Sequence, residues 1–219
     1  MTAIDREAAF SGTKEVAPAL SIDAGRLCDY LSEKIPGLEG PLTLRQFRGG
    51  QSNPTYLLET PARRYVLRRK PPGKLLPSAH AVDREFKVIA ALHAQRFPVP
   101  EALHYCADEN IAGTAFFVMS FVDGRVLWNQ AMPEASVAER SAIYDEMNRV
   151  IAALHKVNVP AAGLSDYGKP GNYFDRQIGR WGKQYLASIT QPIAEMDRLM
   201  AWLPAHMPAS ARDESKVSV

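Results

Sequence analysis

An α+β fold with a sheet-rich first part and a helical second part follows from three observations on the 219-residue sequence. Between Leu42 and Val122, short apolar runs alternate with turns rich in Gly, Pro and Asn. A single helical-period segment, about 80–96, interrupts those runs. Beyond Gly124 the apolar residues recur only at helical spacing. Composition agrees with a folded, globular chain: 46% hydrophobic and 23% charged residues exclude disorder and collagen-like repeats. The net charge of +2 is too small to be the electrostatic footprint of a nucleic-acid binder. Cys28 and Cys106 stand alone, without CxxC spacing, which fits a reduced compartment. The first 20 residues lack a basic stretch followed by an apolar run, and no window approaches the roughly 18 apolar residues of a membrane span. These features predict a cytoplasmic protein with neither nucleic acid nor membrane as partner.

Residues 1–20 show no period and are expected to form a mobile leader. Asp23 is a candidate N-cap for a helix carrying Leu27, Tyr30, Leu31 and Ile35, which Pro36-Gly37 ends. Leu42, Leu44 and Phe47 read as a first strand, Thr55–Leu58 as a second and Arg64–Arg68 as a third, with Gly49-Gly50 between the first two. Pro71-Pro72-Gly73 stops the third strand. Val82, Phe86, Ile89 and Leu92 define the helix over 80–96, closed by Pro98 and Pro100. A strand over 102–106, a turn at Asp108-Glu109-Asn110 and a strongly apolar strand over 115–122 complete five strands. Ser136-Val137-Ala138-Glu139 fits a capping box, opening a long helix with Ile143, Met147, Val150, Ile151 and Leu154 on a 3.6 period. After a linker over 159–173, helical segments hold Ile178, Trp181 and Tyr185 and then Pro192–Leu203. Lys216–Val219 alternates like the start of a strand.

Candidate chemistry gathers in the first part. Gly49, Gly50, Gln51, Ser52 and Asn53 would let backbone N–H groups approach phosphate oxygens without interference from a Cβ, and the Ser and Asn side chains add donors. With a period of two, Val66 and Arg68 share one face of the third strand, suited to an adenine ring beside its phosphates. Glu85, on the following helix, is the acid placed to hold Arg68. The fifth strand leaves the sheet at Asp123-Gly124, where exposed backbone groups can pair with a base edge. Taken singly, each feature has an ordinary alternative: a hairpin turn, an edge arginine, a solvated helix acid, a core strand.

Taken in order, these motifs resemble the aminoglycoside phosphotransferase (choline-kinase-like) family. They are Gly49-Gly50-Gln51-Ser52-Asn53, Tyr65–Gly73, Leu75–His80, Arg84-Glu85-Phe86 and Phe116–Gly124, with Gly171–Phe174, Arg176-Gln177 and Arg180-Trp181 later in the chain. More narrowly, they are similar to the branch associated with acyl-CoA dehydrogenases. The resemblance implies a protein-kinase-like fold with a five-stranded antiparallel N-lobe, 21–124, and a partial helical C-lobe, 125–219. It also implies ATP as cosubstrate with Mg2+, and a small-molecule hydroxyl as acceptor, such as a hydroxyacyl-CoA or hydroxy acid. Residues 49–53 would cover the phosphates, Arg68 would stand where protein kinases have a lysine, with Lys70 in reserve, and Glu85 would pair with Arg68. Val66 would lie against adenine, Met119 would be the gatekeeper, and the Ser120 carbonyl and Val122 amide would reach the adenine edge. Such kinases place an His-Gly-Asp catalytic loop and a metal-binding Asp later in the chain. None of the five histidines, His80, His93, His104, His155 and His206, is followed by Gly. The expectation is therefore a fragment of a kinase, ending before its catalytic loop and Mg2+ ligands and inactive alone. The alternative is a non-catalytic nucleotide- or partner-binding module.

Overall fold

Thr13–Lys14 (β1) is a two-residue strand, and Pro18–Leu20 follows as one 3-10 turn. The computed structural model describes residues 9–49, 52–73, 80–168 and 171–212. Asp23 caps the first helix, Ala24–Lys34 (α1), by accepting from the Arg26 N–H at 3.0 Å, and buries Leu27 and Leu31 at their helical spacing. Thr43–Phe47 (β2), Thr55–Glu59 (β3) and Arg64–Arg69 (β4) form the predicted meander. Val82–Ala94 (α2) then leads to Ala102–Cys106 (β5), Glu109–Ala112 (α3) and Phe116–Ser120 (β6). Val137–His155 (α4), Tyr173–Ser188 (α5) and Ala194–Ala205 (α6) complete the helices, and Ala209–Arg212 makes a last 3-10 turn.

Among the described residues the sheet has six antiparallel strands in the order β1-β2-β3-β4-β6-β5, not five. The additional strand comes from the expected leader, where Thr13 pairs with Phe47 and Lys14 with Gln46. A two-residue strand is too short to show a period, so only its partner reveals it. The turn expected at Asp108-Glu109-Asn110 is instead helix α3, because Asp108 accepts from the Asn110 N–H at 2.9 Å and caps a short turn of helix. Gly113 ends it in a left-handed conformation, φ 80°, its N–H bonding Glu109 O at 2.7 Å.

Each face of the sheet is covered by a different helix. On one face α1 packs Leu27 and Leu31 against Tyr56, Leu58, Tyr65, Leu67, Phe116 and Val118. On the other, Val82, Phe86 and Ile89 of α2 cover Phe117 and Met119. The even and odd positions of β4 therefore face different surroundings.

The chain divides into two compact units, Met1–Val157 and Asn158–Val219. Helix α4 belongs to the first unit and begins as predicted: Ser136 Oγ accepts from the Glu139 N–H at 3.1 Å. Glu139 does not close the box; its carboxylate takes Arg125 at 3.0 Å. No residue of α4 is buried, and Met147, Ile151 and Leu154 lie exposed along it. In the second unit α5 and α6 pack together. Helix α6 continues through Pro204 to Ala205, two residues past the expected Leu203. Residues 216–219, read as a strand start, lie outside the described residues.

Candidate functional site

Alternation along β4 assigns Val66 and Arg68 to the α2 face of the sheet and Tyr65, Leu67 and Arg69 to the α1 face. Helix α2 carries Glu85 to the first of these faces. There Arg68 Nε donates to Glu85 Oε2 at 2.6 Å, as the sequence predicts. The guanidinium is held a second time across the strand pair: Arg68 and Thr55 are register partners, and Arg68 Nη1 donates to Thr55 Oγ1 at 3.0 Å. With side chains 27% and 35% exposed, the pair keeps one side open to water. Arg68 Nη2 has no partner among the described residues, so this cation retains a free donor.

Asn53 joins the same cluster. Its side chain, 2% exposed, donates to Glu85 Oε1 at 2.8 Å and accepts from His80 Nδ1 at 2.7 Å. The sequence reading sets Asn53 in the phosphate loop; in the structure its amide bonds the Glu85 carboxylate. Ser52 is exposed and directly precedes it. Gly49 sits where a Cβ would stand 3.4 Å from the Phe10 carbonyl and 3.6 Å from the Trp128 ring. The Phe10 and Trp128 rings meet tilted, with centroids 5.4 Å apart, and Trp128 Nε1 donates to Ser11 Oγ at 2.9 Å, so the loop's first glycine lies beside both Phe10 and the segment after β6. Gly50 and Gln51 lie outside the described residues.

Val66 is buried and directly opposite Met119 on β6, and Ala102 lies on the other side of Met119. This apolar row continues the strip that begins at Arg68. The strand ends at Ser120, whose N–H bonds Glu101 O and whose hydroxyl accepts from the Glu101 N–H, both at 2.9 Å. Val122, beyond it, is 62% exposed. Lys70, the reserve cation, donates its backbone N–H to Ala115 O at 3.0 Å and accepts from Thr114 Oγ1 at 2.8 Å. A separate cavity of about 340 Å3, bordered by Ile35, Arg64, Ser120 and Asp123, opens at the end of α1, on the side of the sheet away from the Arg68–Glu85 pair.

Burial lifts the Tyr30 hydroxyl to about 12, with the Cys106 thiol adding to the effect. Burial lifts Tyr56, which the Arg69 charge partly offsets, and Tyr105 likewise rises by burial. His104 is pulled down by burial and then by Lys34. Among the described residues no three His, Cys, Asp or Glu side chains gather as a metal site. None of the helices among them is long and apolar enough to cross a membrane.

Two members of the cluster escaped sequence reasoning. Thr55 was findable, since pairing β3 with β4 in the shortest meander register puts it opposite Arg68. His80 had no signal beyond lying at the end of the Leu75–His80 run.

Known proteins resemble this chain. Over 209 residues the chain is 44% identical to acyl-CoA dehydrogenase family member 11 of Rattus norvegicus, covering 94% of this chain and 27% of that protein. It is 48% identical over 207 residues to a protein of Arabidopsis thaliana described as a probable acyl-CoA dehydrogenase, covering 89% of this chain and 25% of that one. The chain thus spans about a quarter of the length of these curated relatives. A crystal structure from Ralstonia eutropha, described as that of an aminoglycoside phosphotransferase, superposes with a TM-score of 0.75 at 50% identity, covering 89% of this chain and 56% of that one. This agrees with a kinase-like α+β fold. The model of the Phosphotransferase enzyme family matches residues 43–217, and the chain belongs to that family.

Proposed function

We propose that this chain is the nucleotide-binding part of an ATP-dependent small-molecule kinase. Membership of a phosphotransferase family implies the use of ATP. The observation that carries the reading is the Arg68–Glu85 pair at 2.6 Å, open on one side with a free guanidinium donor and continued by the apolar row Val66–Met119. A half-neutralised guanidinium beside an apolar strip suits a triphosphate next to a purine ring. Arg68 would bind phosphate oxygens, Glu85 would orient it, and Val66 and Met119 would border the base. Gly49, Gly50, Gln51 and Ser52 would supply backbone donors to the phosphates, and the Ser120 carbonyl and Val122 amide would meet the adenine edge. No residue of this chain is assigned to Mg2+.

The acceptor is a hydroxyl on a small molecule, with a hydroxyacyl-CoA or hydroxy acid favoured because the relatives bear acyl-CoA dehydrogenase names. The setting is the cytoplasm. No His-Gly-Asp occurs in the 219 residues, so these residues alone do not turn over. The same observation favours the second reading, a module that binds nucleotide or a partner without catalysis.

Titration calorimetry of the chain with MgATP tests the first step. Binding by the wild type, weakened at least about tenfold in Arg68→Ala and Glu85→Gln, is expected; that factor corresponds to about 1.4 kcal/mol. Equal affinity in all three proteins removes Arg68 from the site, and no binding by the wild type overturns the reading. ATP-dependent phosphorylation of a hydroxy acid by this chain would refute its inactivity.

A further inference from the structure

The ion pair at the centre of the site does not stand alone. Arg68 Nε uses Glu85 Oε2, and Asn53 Nδ2 uses the other carboxylate oxygen, Oε1, at 2.8 Å. A carboxylate only accepts, so the NH2 side of the Asn53 amide must face it. Its Oδ1 then faces His80, and His80 Nδ1, 2.7 Å away, must carry the proton. Donation runs from His80 to Asn53 to Glu85, and from Arg68 to the same carboxylate. The backbone carbonyl of Asn53 also receives Thr55 Oγ1 at 3.1 Å and Arg68 Nη1 at 3.5 Å. One nearly inaccessible residue thus bonds both members of the pair.

The physical need for it is plain. An Arg–Glu pair that is about a third exposed gains little by itself and samples many rotamers. Bonded at both carboxylate oxygens, Glu85 has one orientation, and so does the guanidinium resting on it. His80 supports this at a local cost: its backbone is left-handed, φ 57°, which a residue with a Cβ adopts at a cost of about 1 kcal/mol. Its carbonyl accepts the Val82 N–H at 2.9 Å at the start of α2, the helix that carries Glu85. The ring therefore ties the beginning of α2 to the end of the glycine loop.

We propose that Asn53 and His80 are positioning residues that lock Glu85, and through it Arg68, in the orientation that receives a nucleotide phosphate. The proposal rests on the reading of Arg68 as a phosphate ligand, and its test separates the two. The 15N-detected Arg68 Nε–H signal, assigned by its loss in Arg68→Lys, reports the ion pair without nucleotide. Slow exchange with water is expected in the wild type, and at least about tenfold faster exchange in Asn53→Asp, which sets a second carboxylate against Glu85. His80→Ala should speed exchange several-fold, and His80→Gln, which keeps a donor for Asn53, should restore it. His80→Ala also stands in should Asn53→Asp fail to fold. MgATP affinity should fall in the same order, at least about tenfold for Asn53→Asp, with circular dichroism spectra unchanged. Unchanged exchange in both Asn53→Asp and His80→Ala overturns the proposal, as does failure of His80→Gln to restore it. Should the wild type bind no MgATP, the nucleotide reading falls, and exchange alone decides whether the clamp exists.

Discussion

Arg69 is a buried cation with no carboxylate beside it among the described residues. Its side chain, 3% exposed, donates Nε to Tyr56 Oη at 3.0 Å, Nη2 to the Leu20 carbonyl at 2.9 Å and Nη1 to the Ala112 carbonyl. It thereby ties the 3-10 turn Pro18–Leu20 and the end of α3 to the α1 face of β4. In Arg69→Met much of the stem's packing survives and the three bonds are lost. Bonds from a charged donor contribute about 1.5–3 kcal/mol each. Releasing an ion held in a dry interior returns part of that, several kcal/mol by itself. Tyr56 also donates to Leu20 O at 2.9 Å, so that carbonyl keeps a partner, whereas buried Ala112 is left without its guanidinium. The net expectation, the bonds lost less the desolvation returned, is a loss of about 3 kcal/mol. For a chain of this size the melting midpoint should drop by roughly 6–12 °C. Circular dichroism melts of wild type, Arg69→Met and Tyr56→Phe measure it, the last expected to lose about 1 kcal/mol. A midpoint for Arg69→Met within about 2 °C of wild type would show that desolvation cancels the bonds, and a higher one would refute the reasoning outright.

His104, paired to Tyr30 Oη at 3.0 Å, is held below its ordinary value of 6.5 by burial and by Lys34. The unfolded chain then binds the extra proton first, so stability should fall as pH drops through about 6.5 towards the folded value, and His104→Gln should flatten that slope; a melting midpoint independent of pH in that window sinks the assignment. The exposed Met147, Ile151 and Leu154 on α4, with Trp181 on α5 and Trp202 on α6, predict binding of a hydrophobic dye and self-association of this chain. Met147→Lys with Ile151→Glu should reduce both, and a monodisperse, dye-silent wild type would be the contrary result.

What the sequence revealed depended on how many residues carried each signal. Strands β3, β4 and β5 and helix α1 were legible because four or more residues share a period and a cap or turn bounds them. Strand β1 was not, because two residues have no period and only the β2 edge defines them. Asp108 bonds a backbone N–H two residues on, which serves a turn or a helix cap equally, so α3 was read as a turn. The periodicity of α4 foretold a helix but not its burial, which is set by neighbouring elements. The Arg68–Glu85 pair was legible from strand parity and an acid on the next helix. Asn53 as the carboxylate's second partner was not, since the aim of a loop side chain depends on the fold that closes around it.

Adjacent arginines show most directly how the fold assigns chemistry. Arg68 and Arg69 are chemically identical and one residue apart, yet one keeps a free donor beside the apolar row Val66–Met119 and the other is sealed among carbonyls. Parity alone separates them, and parity holds only if the register holds. That register is set on both sides: Arg68 lies between Thr55 and Phe117, while Arg69 lies beside Phe116. A slip of one residue would bring Arg69 to the α2 face and drive Arg68 among Leu27, Leu31 and Tyr56, away from Glu85. The three contacts of Arg69 oppose that slip, because the carbonyls of Leu20 and Ala112 are reachable only from the α1 face. The buried arginine therefore acts on the site it never touches, by keeping its neighbour turned towards Glu85. Because that action runs through the population of the correctly registered fold, Arg69→Met should lose stability while the MgATP affinity of its folded fraction stays unchanged, whereas Arg68→Ala should change affinity with little loss of stability.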